Sequence, residues 1–548
     1  MIRKKIYQWH RTLSLMVAIP VIFWAMSGFM HPIMTIFRPE IAKQAYNAPA
    51  IDSSQLKVSL SEALRINNYP IINSFRIIQI KGNHFYQIKL PGEKKLQYIS
   101  TRDGKLLYDG DNLYARYLAK YFLSGDSKAK TSNNPPASLG KQEEAEGDCC
   151  AMATNAVLSR NNGALVNKVT FQEDFDSEYK AINRLLPVYR VDFKREDDIR
   201  IYVETANDRL GLAFDNTRSF LDTMFQLFHN MSWLNALGNW RLVIEIAIMS
   251  LTFLTALMGI YIFFTTKSKS VSDKALPKAR RNHRYTSILA SVFTLLFTFS
   301  GAFHALQKFE PDTRENFYVE NTFSGSELDL NWEKLSKALE KDINIENISV
   351  VKMNKQNYWQ VYPEGEQGAK DFKKGSEMPA VTRDAIYLKA NDYSLLANGE
   401  EQYARYLASS FNNDKNAKPN EVKQITKFAG EYGFVNKRLP VWKLGYETNY
   451  NERFYVETSS GKLSVRIDDR EVFEGLSFSF LHKHHFLDFA GKSWRDFSTM
   501  FWAAMQVAMI VVGLVLWNKS RSAKKEFPGL ESEDGRNTST RMCSWICE

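Results

Sequence analysis

The histidines are the residues of this sequence best suited to redox or metal chemistry, and their placement is uneven. Only His84 lies away from the long apolar stretches of the chain. The others lie within or beside those stretches: His10, His31, His229, His283, His304, His482, His484 and His485. Polar side chains at membrane depth are costly and usually functional. Because neutral imidazole ligates haem iron axially in apolar bundles, the pattern predicts a haem-binding membrane protein.

Four windows are apolar over about the 20 residues that a helix needs to cross a bilayer. They are residues 13–37, 242–266, 285–306 and 500–517. The first window follows basic residues, as a secretory signal would, but no small-residue cleavage pattern follows it closely. We therefore expect an uncleaved anchor and three further membrane helices.

Positive charge beside the windows predicts their orientation, since cytoplasmic loops carry an excess of Lys and Arg. The N-terminus carries Arg3, Lys4, Lys5 and Arg11, and the connector 267–284 has seven basic residues against one acidic residue. Both termini are therefore expected in the cytoplasm, and the two long segments between helices outside it. The net charge of +10 then reflects topology, and no nucleic-acid partner is expected.

The two halves of the chain repeat one another, which predicts a tandem duplication. His10-Arg11 and Ser27-Gly28-x-x-His31 recur 273 residues later as His283-Arg284 and Ser300-Gly301-x-x-His304. Further matches join residues 114–119 to 403–408, 186–189 to 439–442, 202–205 to 455–458, and His229 to His482. The expected fold is a membrane α-helical bundle of four transmembrane helices. Each half contributes a helix, a large α+β extracytoplasmic domain and a second helix, packed about a pseudo-twofold axis.

The domain boundaries follow from the windows and the repeat. We expect the N-terminus and first helix at 1–37, the first extracytoplasmic domain at 38–238, the second helix at 239–266, a basic cytoplasmic loop at 267–284, the third helix at 285–307, the second domain at 308–497, the fourth helix at 498–518 and a cytoplasmic tail at 519–548.

Within the first extracytoplasmic segment, short helices and strands are predicted. Ser59 is expected to cap a helix, and residues 74–80, 85–90 and 105–108 are expected as strands. A second set of strands is expected at 188–193 and 199–205. The repeat partner of His84 is Asn357, so His84 is expected on the surface.

Histidine spacing predicts two levels of ligands in the membrane. His10 and His31 are 21 residues apart, about 31 Å along a helix, so they lie near opposite faces of the bilayer, as do His283 and His304. At the cytoplasmic level, His10 and His283 are expected to share one haem. At the outer level, His31 with His304 is the first choice by symmetry, and His229 with His482, or mixed pairs, remain alternatives.

Some features are left open by the sequence. Electron transfer over 31 Å is slow, so either the outer haem lies deeper than His31 or an aromatic such as Trp24 or Phe297 bridges the gap. The Ser-Gly pairs act either in helix packing or as a notch for a flat macrocycle. His484 and His485 lack repeat partners, and either bind substrate or bind nothing. Cys149 and Cys150 form a vicinal disulfide, a soft-metal site or two incidental thiols.

The chain resembles the PepSY-associated transmembrane family over about residues 1–520. The resemblance rests on Trp9-His10-Arg11, Ser27-Gly28-x-x-His31, the Ser59-Leu-Ser-Glu-Ala-Leu64 helix and Thr101-x-Asp103-Gly104-Lys105. That family includes iron-regulated inner-membrane proteins and haem-containing ferric-siderophore reductases. The resemblance implies that both extracytoplasmic domains are PepSY-like and periplasmic, in a bacterial inner membrane.

These observations together predict an oxidoreductase with one or two haems b that reduces ferric iron in a siderophore or another chelate. The donor must be external, a quinone or a cytoplasmic reductase, because no G-x-G-x-x-G motif follows a strand. Membrane lipid is the other expected partner. The rival interpretation is a membrane receptor or peptidase regulator that has PepSY-like domains and no haem. A transport permease is disfavoured because four helices with few buried charges offer little substrate path.

Overall fold

The structure is a computed structural model and describes residues 2–125, 164–266, 275–309, 318–339, 343–364 and 384–526. It divides into two compact units. The helical unit lies within Met1–Ile36, Leu221–Pro311 and Phe473–Glu548, and the sheet unit within Phe37–Phe220 and Asp312–Val472. Cys149, Cys150 and the two C-terminal cysteines lie outside the described residues.

The helices of the described residues are distributed over both units. They are α1 (Ile2–Ile36), α2 (Leu60–Ile66), α3 (Gly110–Ser124), α4 (Asn216–Phe228), α5 (Trp240–Thr265), α6 (Ala275–Gln307), α7 (Trp332–Ala338), α8 (Gly399–Phe411), α9 (Asp469–Ser477) and α10 (Lys492–Glu526).

Four of these helices, α1, α5, α6 and α10, are long and apolar enough to cross a membrane. They coincide with the four windows predicted from hydropathy, which extend at most one residue beyond the helices, so the prediction of a multi-pass membrane protein is confirmed. Helices α1, α6 and α10 begin well before their windows because the preceding polar residues continue the helix. Both α1 and α6 pack against α5 and α10. The two helices that carry the repeated histidine motifs therefore each pack between the same two neighbours.

The sheet unit contains the strands. They are β1 (Ile71–Ile72), β2 (Ser74–Ile80), β3 (Asn83–Lys89), β4 (Gln97–Ser100), β5 (Val166–Gln172), β6 (Val188–Phe193), β7 (Arg200–Glu204), β8 (Arg209–Phe214), β9 (Phe323–Ser324), β10 (Ile345–Met353), β11 (Gln356–Pro363), β12 (Ile386–Lys389), β13 (Glu421–Ile425), β14 (Val441–Gly445), β15 (Arg453–Glu457) and β16 (Lys462–Ile467).

The central sheet has six antiparallel strands in the order β12-β11-β10-β2-β3-β4. Its two halves join between β2 and β10, where Arg76 lies opposite Ser349. Two four-stranded sheets, β5-β6-β7-β8 and β13-β14-β15-β16, have strands in chain order. Helix α3 packs in one hydrophobic core with strands of the first four-stranded sheet, and α8 packs likewise with the second.

Most predicted elements of the first soluble segment are confirmed. Ser59 caps α2 by accepting a hydrogen bond from the Glu62 backbone N–H at 3.3 Å. The strand predictions at 74–80 and 188–193 match β2 and β6 to the residue. The strand predicted at 105–108 is wrong, because α3 begins at Gly110 and leaves room only for a bridge between Leu106 and Ile99.

The prediction that His84 lies on the surface is also wrong. Its side chain is buried, and its Nε2 accepts a hydrogen bond from the backbone N–H of Asp52 at 3.2 Å. Alternation along β3 places His84 on the same face as Tyr86 and Ile88, both of which are buried. The alternation along β3 therefore predicts the burial of His84 correctly, whereas its polar repeat partner, Asn357, does not.

Candidate functional site

Four imidazoles and two phenyl rings form a continuous row in the helical unit. At one end, His31 is 6.4 Å from Phe225, whose ring stacks on His229 at 4.5 Å. At the other end, His304 stacks on Phe478 at 4.6 Å, and Phe478 stacks on His482 at 4.7 Å. All distances are between ring centroids. Each half of the chain therefore contributes a His-Phe-His sandwich.

The two sandwiches meet at His229 and His482. Their ring centroids are 6.2 Å apart, and the rings are nearly perpendicular at 86°. Metal–nitrogen bonds are about 2 Å long, so imidazoles at this spacing leave room for one metal ion between them. The two halves of the chain therefore contact one another through His229 and His482, the pair that the sequence analysis kept as an alternative. His31 and His304, the first choice, lie at the two ends of the row.

Local sequence explains how the second histidine of each sandwich is positioned. Phe225 and His229 are four residues apart at the end of α4, so a helical turn brings their rings together. Phe478 and His482 are the first and last residues of one π-helical turn that follows α9. Trp24 also anchors His229, because its indole N–H donates to the His229 carbonyl oxygen at 3.0 Å.

The serine of each Ser-Gly-x-x-His motif hydrogen-bonds to one imidazole of this contacting pair. The Ser27 hydroxyl lies 2.9 Å from the Trp24 carbonyl oxygen and 3.0 Å from His229 Nδ1. Ser300 repeats the arrangement, 2.8 Å from the Leu296 carbonyl oxygen and 3.2 Å from His482 Nδ1. A hydroxyl that donates to the backbone carbonyl accepts from Nδ1–H, and that tautomer leaves Nε2 with the lone pair that a metal takes.

The two glycines of these motifs differ in how closely they are packed. A Cβ on Gly301 would lie only 2.8 Å from the sulfur of Met249 in α5, whereas one on Gly28 would make an ordinary van der Waals contact with Ala503 in α10, at 3.7 Å. Close helix packing therefore explains Gly301, and the serine of each motif adds a hydrogen bond to histidine. The hydrogen bond was not predicted, because α4 and the π-helical turn lie outside the apolar windows.

His304 has a partner that the sequence analysis missed. Its Nδ1 lies 2.5 Å from a carboxylate oxygen of Glu474, which can only accept when ionised. Towards an ionised Glu474, Nδ1 of His304 therefore donates its hydrogen. Leu221 stands where the repeat would place Glu474 in the first half.

At the other end of the long helices, His10 and His283 have matching surroundings. His10 Nδ1 donates to the Thr255 carbonyl oxygen at 3.1 Å, and its ring is 3.2 Å from where a Cβ on Gly259 would lie. His283 hydrogen-bonds to the Met509 backbone and has the same 3.2 Å approach to Gly513.

Comparison with protein families agrees with this architecture. The sequence model of a family described as the PepSY-associated TM region matches residues 7–341, more than half of the chain. The chain belongs to this family. The match includes α1, α5 and α6 with the soluble segment between them, and so contains His10, His31, His229, His283 and His304. A comparison with curated proteins gave no significant match.

The remaining two histidines of this family member differ from one another. His485 is close to Asp488, with its Nδ1 2.8 Å from a carboxylate oxygen. His484 is fully buried, and its Nδ1 lies 3.1 Å from the Ser498 hydroxyl.

The donor set of the histidine row fits a haem better than a bare metal ion. Within the described ranges, no group of three or more His, Cys, Asp or Glu side chains could hold a metal ion. A structural metal site usually takes four protein ligands. A porphyrin supplies four nitrogens itself and needs protein ligands only at the axial positions. Two imidazoles in contact, each with its Nδ1 hydrogen-bonded to a serine, match that need.

Proposed function

We propose that this protein is a b-type haem protein of the bacterial inner membrane that reduces ferric iron in a siderophore or another chelate. The observation that carries the proposal is the contact between His229 and His482. Burial lowers the pKa of the His229 imidazole to about 4, which keeps it neutral and able to ligate iron. Bound haem would supply one-electron chemistry, which requires proximity and a suitable potential rather than a nucleophile.

Two pairs of residues would hold haem. His229 and His482 would ligate the outer group, with their Nδ1–H groups oriented by Ser27 and Ser300. His10 and His283 would ligate the inner group, and Gly259 and Gly513 make room for these two imidazoles against the neighbouring helices. His31 and His304 would flank the outer group through Phe225 and Phe478, and a mixed pair that includes His304 is the alternative.

The outer pair also shortens the distance that electrons must travel. Ser27 and Ser300 are four residues inward of His31 and His304, which is about 6 Å on a helix. Haem held beside these serines would therefore lie deeper than haem held at the helix ends. This favours an outer haem that lies deeper than His31 over an aromatic bridge as the answer to the long distance between the two ligand levels.

We further infer that the chain is a tandem duplication with periplasmic domains and cytoplasmic termini. Two four-stranded sheets with the same strand order support the duplication. In the central sheet, Arg76 lies opposite Ser349, and the two are separated by the same 273 residues as the helix motifs. A residue that pairs with its own repeat partner is the arrangement expected on a twofold axis. The basic segments beside α1 and α6 support the orientation.

Reduction would release iron from its chelate. Hard oxygen donors hold the less charged ferrous ion more weakly than the ferric ion. We expect ferric citrate to reoxidise the haem of chemically reduced protein, one electron for each ferrous ion formed. Stopped-flow absorbance, with a ferrous-specific dye as trap, measures both products. Gallium citrate is the control, since gallium(III) resembles ferric iron and is not reduced. Protein whose haem is reoxidised by no ferric chelate would contradict the assigned reaction.

The inner pair makes a separate prediction. If His10 and His283 share one iron, His10→Ala and His283→Ala should each remove the same haem, and the double variant should lose no more. Ligands that act as one unit have non-additive effects. Haem extracted per protein, together with the absorbance spectrum of what remains, measures this. Losses that add up in the double variant would mean that the two residues serve different sites.

A further inference from the structure

His484 presents a buried nitrogen that nothing in the described residues satisfies. Its side chain is fully buried, its Nδ1 is bonded to Ser498, and its Nε2 has no hydrogen-bond partner among the described residues. A buried polar atom without a partner costs about 1–3 kcal/mol. A second such atom in the described part of the helical unit is Nε2 of Gln506, which is also buried.

These two polar groups bracket an aromatic box, which consists of Phe293, Phe297, Phe486 and Trp502. Phe297 stacks on His484 at 5.3 Å and 21°, and Phe293 lies 5.3 Å from His484. Phe293 in turn stacks on Trp502 at 3.7 Å. Ser498, Trp502 and Gln506 follow one another by four residues on α10, so they share one face of that helix. Gln506 therefore lies one helical turn beyond Trp502, on the side away from Ser498, the partner of His484.

The box has a boundary that faces outward. Phe486 lies 5.3 Å from His484 and is 42% exposed. The neighbouring Phe489, Trp494 and Phe497 are more exposed still. Exposed aromatic residues at the end of a membrane helix are typical of the interface between lipid and water. The box therefore reaches the surface of the helical unit at Phe486, where a lipid-soluble molecule could approach it.

The fold itself does not require these polar groups. In the predicted repeat, Met231 stands at the position of His484 in the first half and has the same left-handed backbone, with φ of 45° against 55°. Thr252 stands at the position of Gln506 when the Trp240-Arg241 and Trp494-Arg495 pairs are matched. The first half therefore builds the same turn and helix without a buried imidazole or amide.

We propose that the aromatic box binds a lipid-soluble quinone or quinol, with His484 and Gln506 hydrogen-bonded to its two ring oxygens. A quinone ring is flat and apolar, and it carries oxygen atoms on opposite sides, which matches a stacked aromatic site with a polar group at each end. This inference rests on the proposed function, because the quinol would be the electron donor. The Phe297 ring is 5.3 Å from both His482 and His484, so the site adjoins the outer histidine pair.

The chemistry of such a donor balances with the proposed acceptor. Oxidation of a quinol to a quinone breaks two O–H bonds and releases two electrons and two protons. The electrons would pass one at a time to ferric haem b, giving ferrous haem, and the protons would pass to water. Two ferric chelates would then be reduced for each quinol consumed.

The test is binding of decylubiquinone to the purified full-length protein, measured by isothermal titration calorimetry in detergent. We expect His484→Met to weaken binding by about tenfold or more, since a hydrogen-bonding site loses its partner. Gln506→Thr should weaken it by a smaller factor. His484→Gln, which keeps a hydrogen-bonding group, should stay close to wild type. Met231→Leu, at the equivalent turn of the first half, should leave binding unchanged.

Two results would overturn the proposed quinone site. They are equal affinities in wild type and His484→Met, and a haem-loaded wild-type protein that does not bind decylubiquinone. Absorbance of the same samples reports haem independently of quinone. Colourless protein whose quinone binding depends on His484 would leave this site standing and would remove the proposed haem reaction.

Discussion

Replacing His482 with alanine is expected to remove the outer haem entirely, and replacing His229 is expected to remove the same haem. The two imidazoles contact one another, and a serine hydrogen-bonds to the Nδ1 atom of each. An iron held by both imidazoles would lose half of its protein ligands when either residue is truncated. The double variant should therefore lose no more haem than either single variant.

Haem extracted per protein measures the effect, and two sets of variants make it specific. His485→Ala is the matched control, because His485 pairs with Asp488 outside the row. His31→Ala and His304→Ala test the symmetric pair that helix spacing alone favoured. Retention of the outer haem in His229→Ala and His482→Ala, with its loss in the other two variants, would show that His31 and His304 are its ligands.

The second large effect is expected in the sheet unit, at Glu457. This carboxylate is fully buried and pairs with Arg209 and with Arg438, the latter at 2.9 Å. Glu204, its repeat partner, lies 3.5 Å from Lys462 and 3.6 Å from Arg209. Breaking one partner of a buried pair costs about 3–5 kcal/mol, because the remaining charge stays buried without compensation. Glu457→Gln should therefore destabilise the sheet unit by that amount.

Amide hydrogen exchange of β15 in the full-length protein measures this loss, because exchange of a core strand reports the free energy of opening. A loss of about 3 kcal/mol corresponds to roughly 100-fold faster exchange. Glu333→Gln is the matched control: its pair with Lys337 is exposed, and such pairs contribute at most about 1 kcal/mol. Unchanged exchange in Glu457→Gln would show that the cluster does not stabilise the unit.

The same carboxylate predicts a dependence on pH. Burial alone would raise the pKa of Glu457, but Arg209 and Arg438 outweigh it and lower the pKa to about 2. An unfolded glutamate titrates near 4.3. Ionised Glu457 therefore stabilises the folded state fully above about pH 4.3, and this stabilisation is lost as the pH falls towards 2. The difference in exchange between wild type and Glu457→Gln should shrink over that acidic range.

Sequence patterns predicted the elements of this fold well, for a physical reason. Long apolar windows and period-2 alternation report burial directly, so α1, α5, α6, α10, β2 and β6 were found. The predictions failed where tertiary contacts decide whether a residue is buried or whether a strand forms. His84 is buried because the segment around Asp52 covers it, and the strand predicted at 105–108 is cut short by the start of α3.

The histidines were found by type and repetition, but their partners were not. All six predicted ligands lie in the helical unit. Spacing along α1 and α6 emphasised His31 and His304, whereas α4 and the π-helical turn bring His229 and His482 into contact. The sequence alone does not show how deeply the segments that carry His229 and His482 insert into the helical unit. The repeated serine was the available signal, since its side chain has a hydrogen-bonding role beyond packing.

The haem content of the purified protein tests the central proposal most directly. A reduced-minus-oxidised absorbance spectrum should show b-type haem, and extraction should give up to two haems per chain, one for each proposed pair of histidine ligands. The protein should come from haem-replete cells, with folding checked by circular dichroism on the same sample. Folded protein that is colourless would contradict the proposal and would favour a receptor or peptidase regulator that acts without haem.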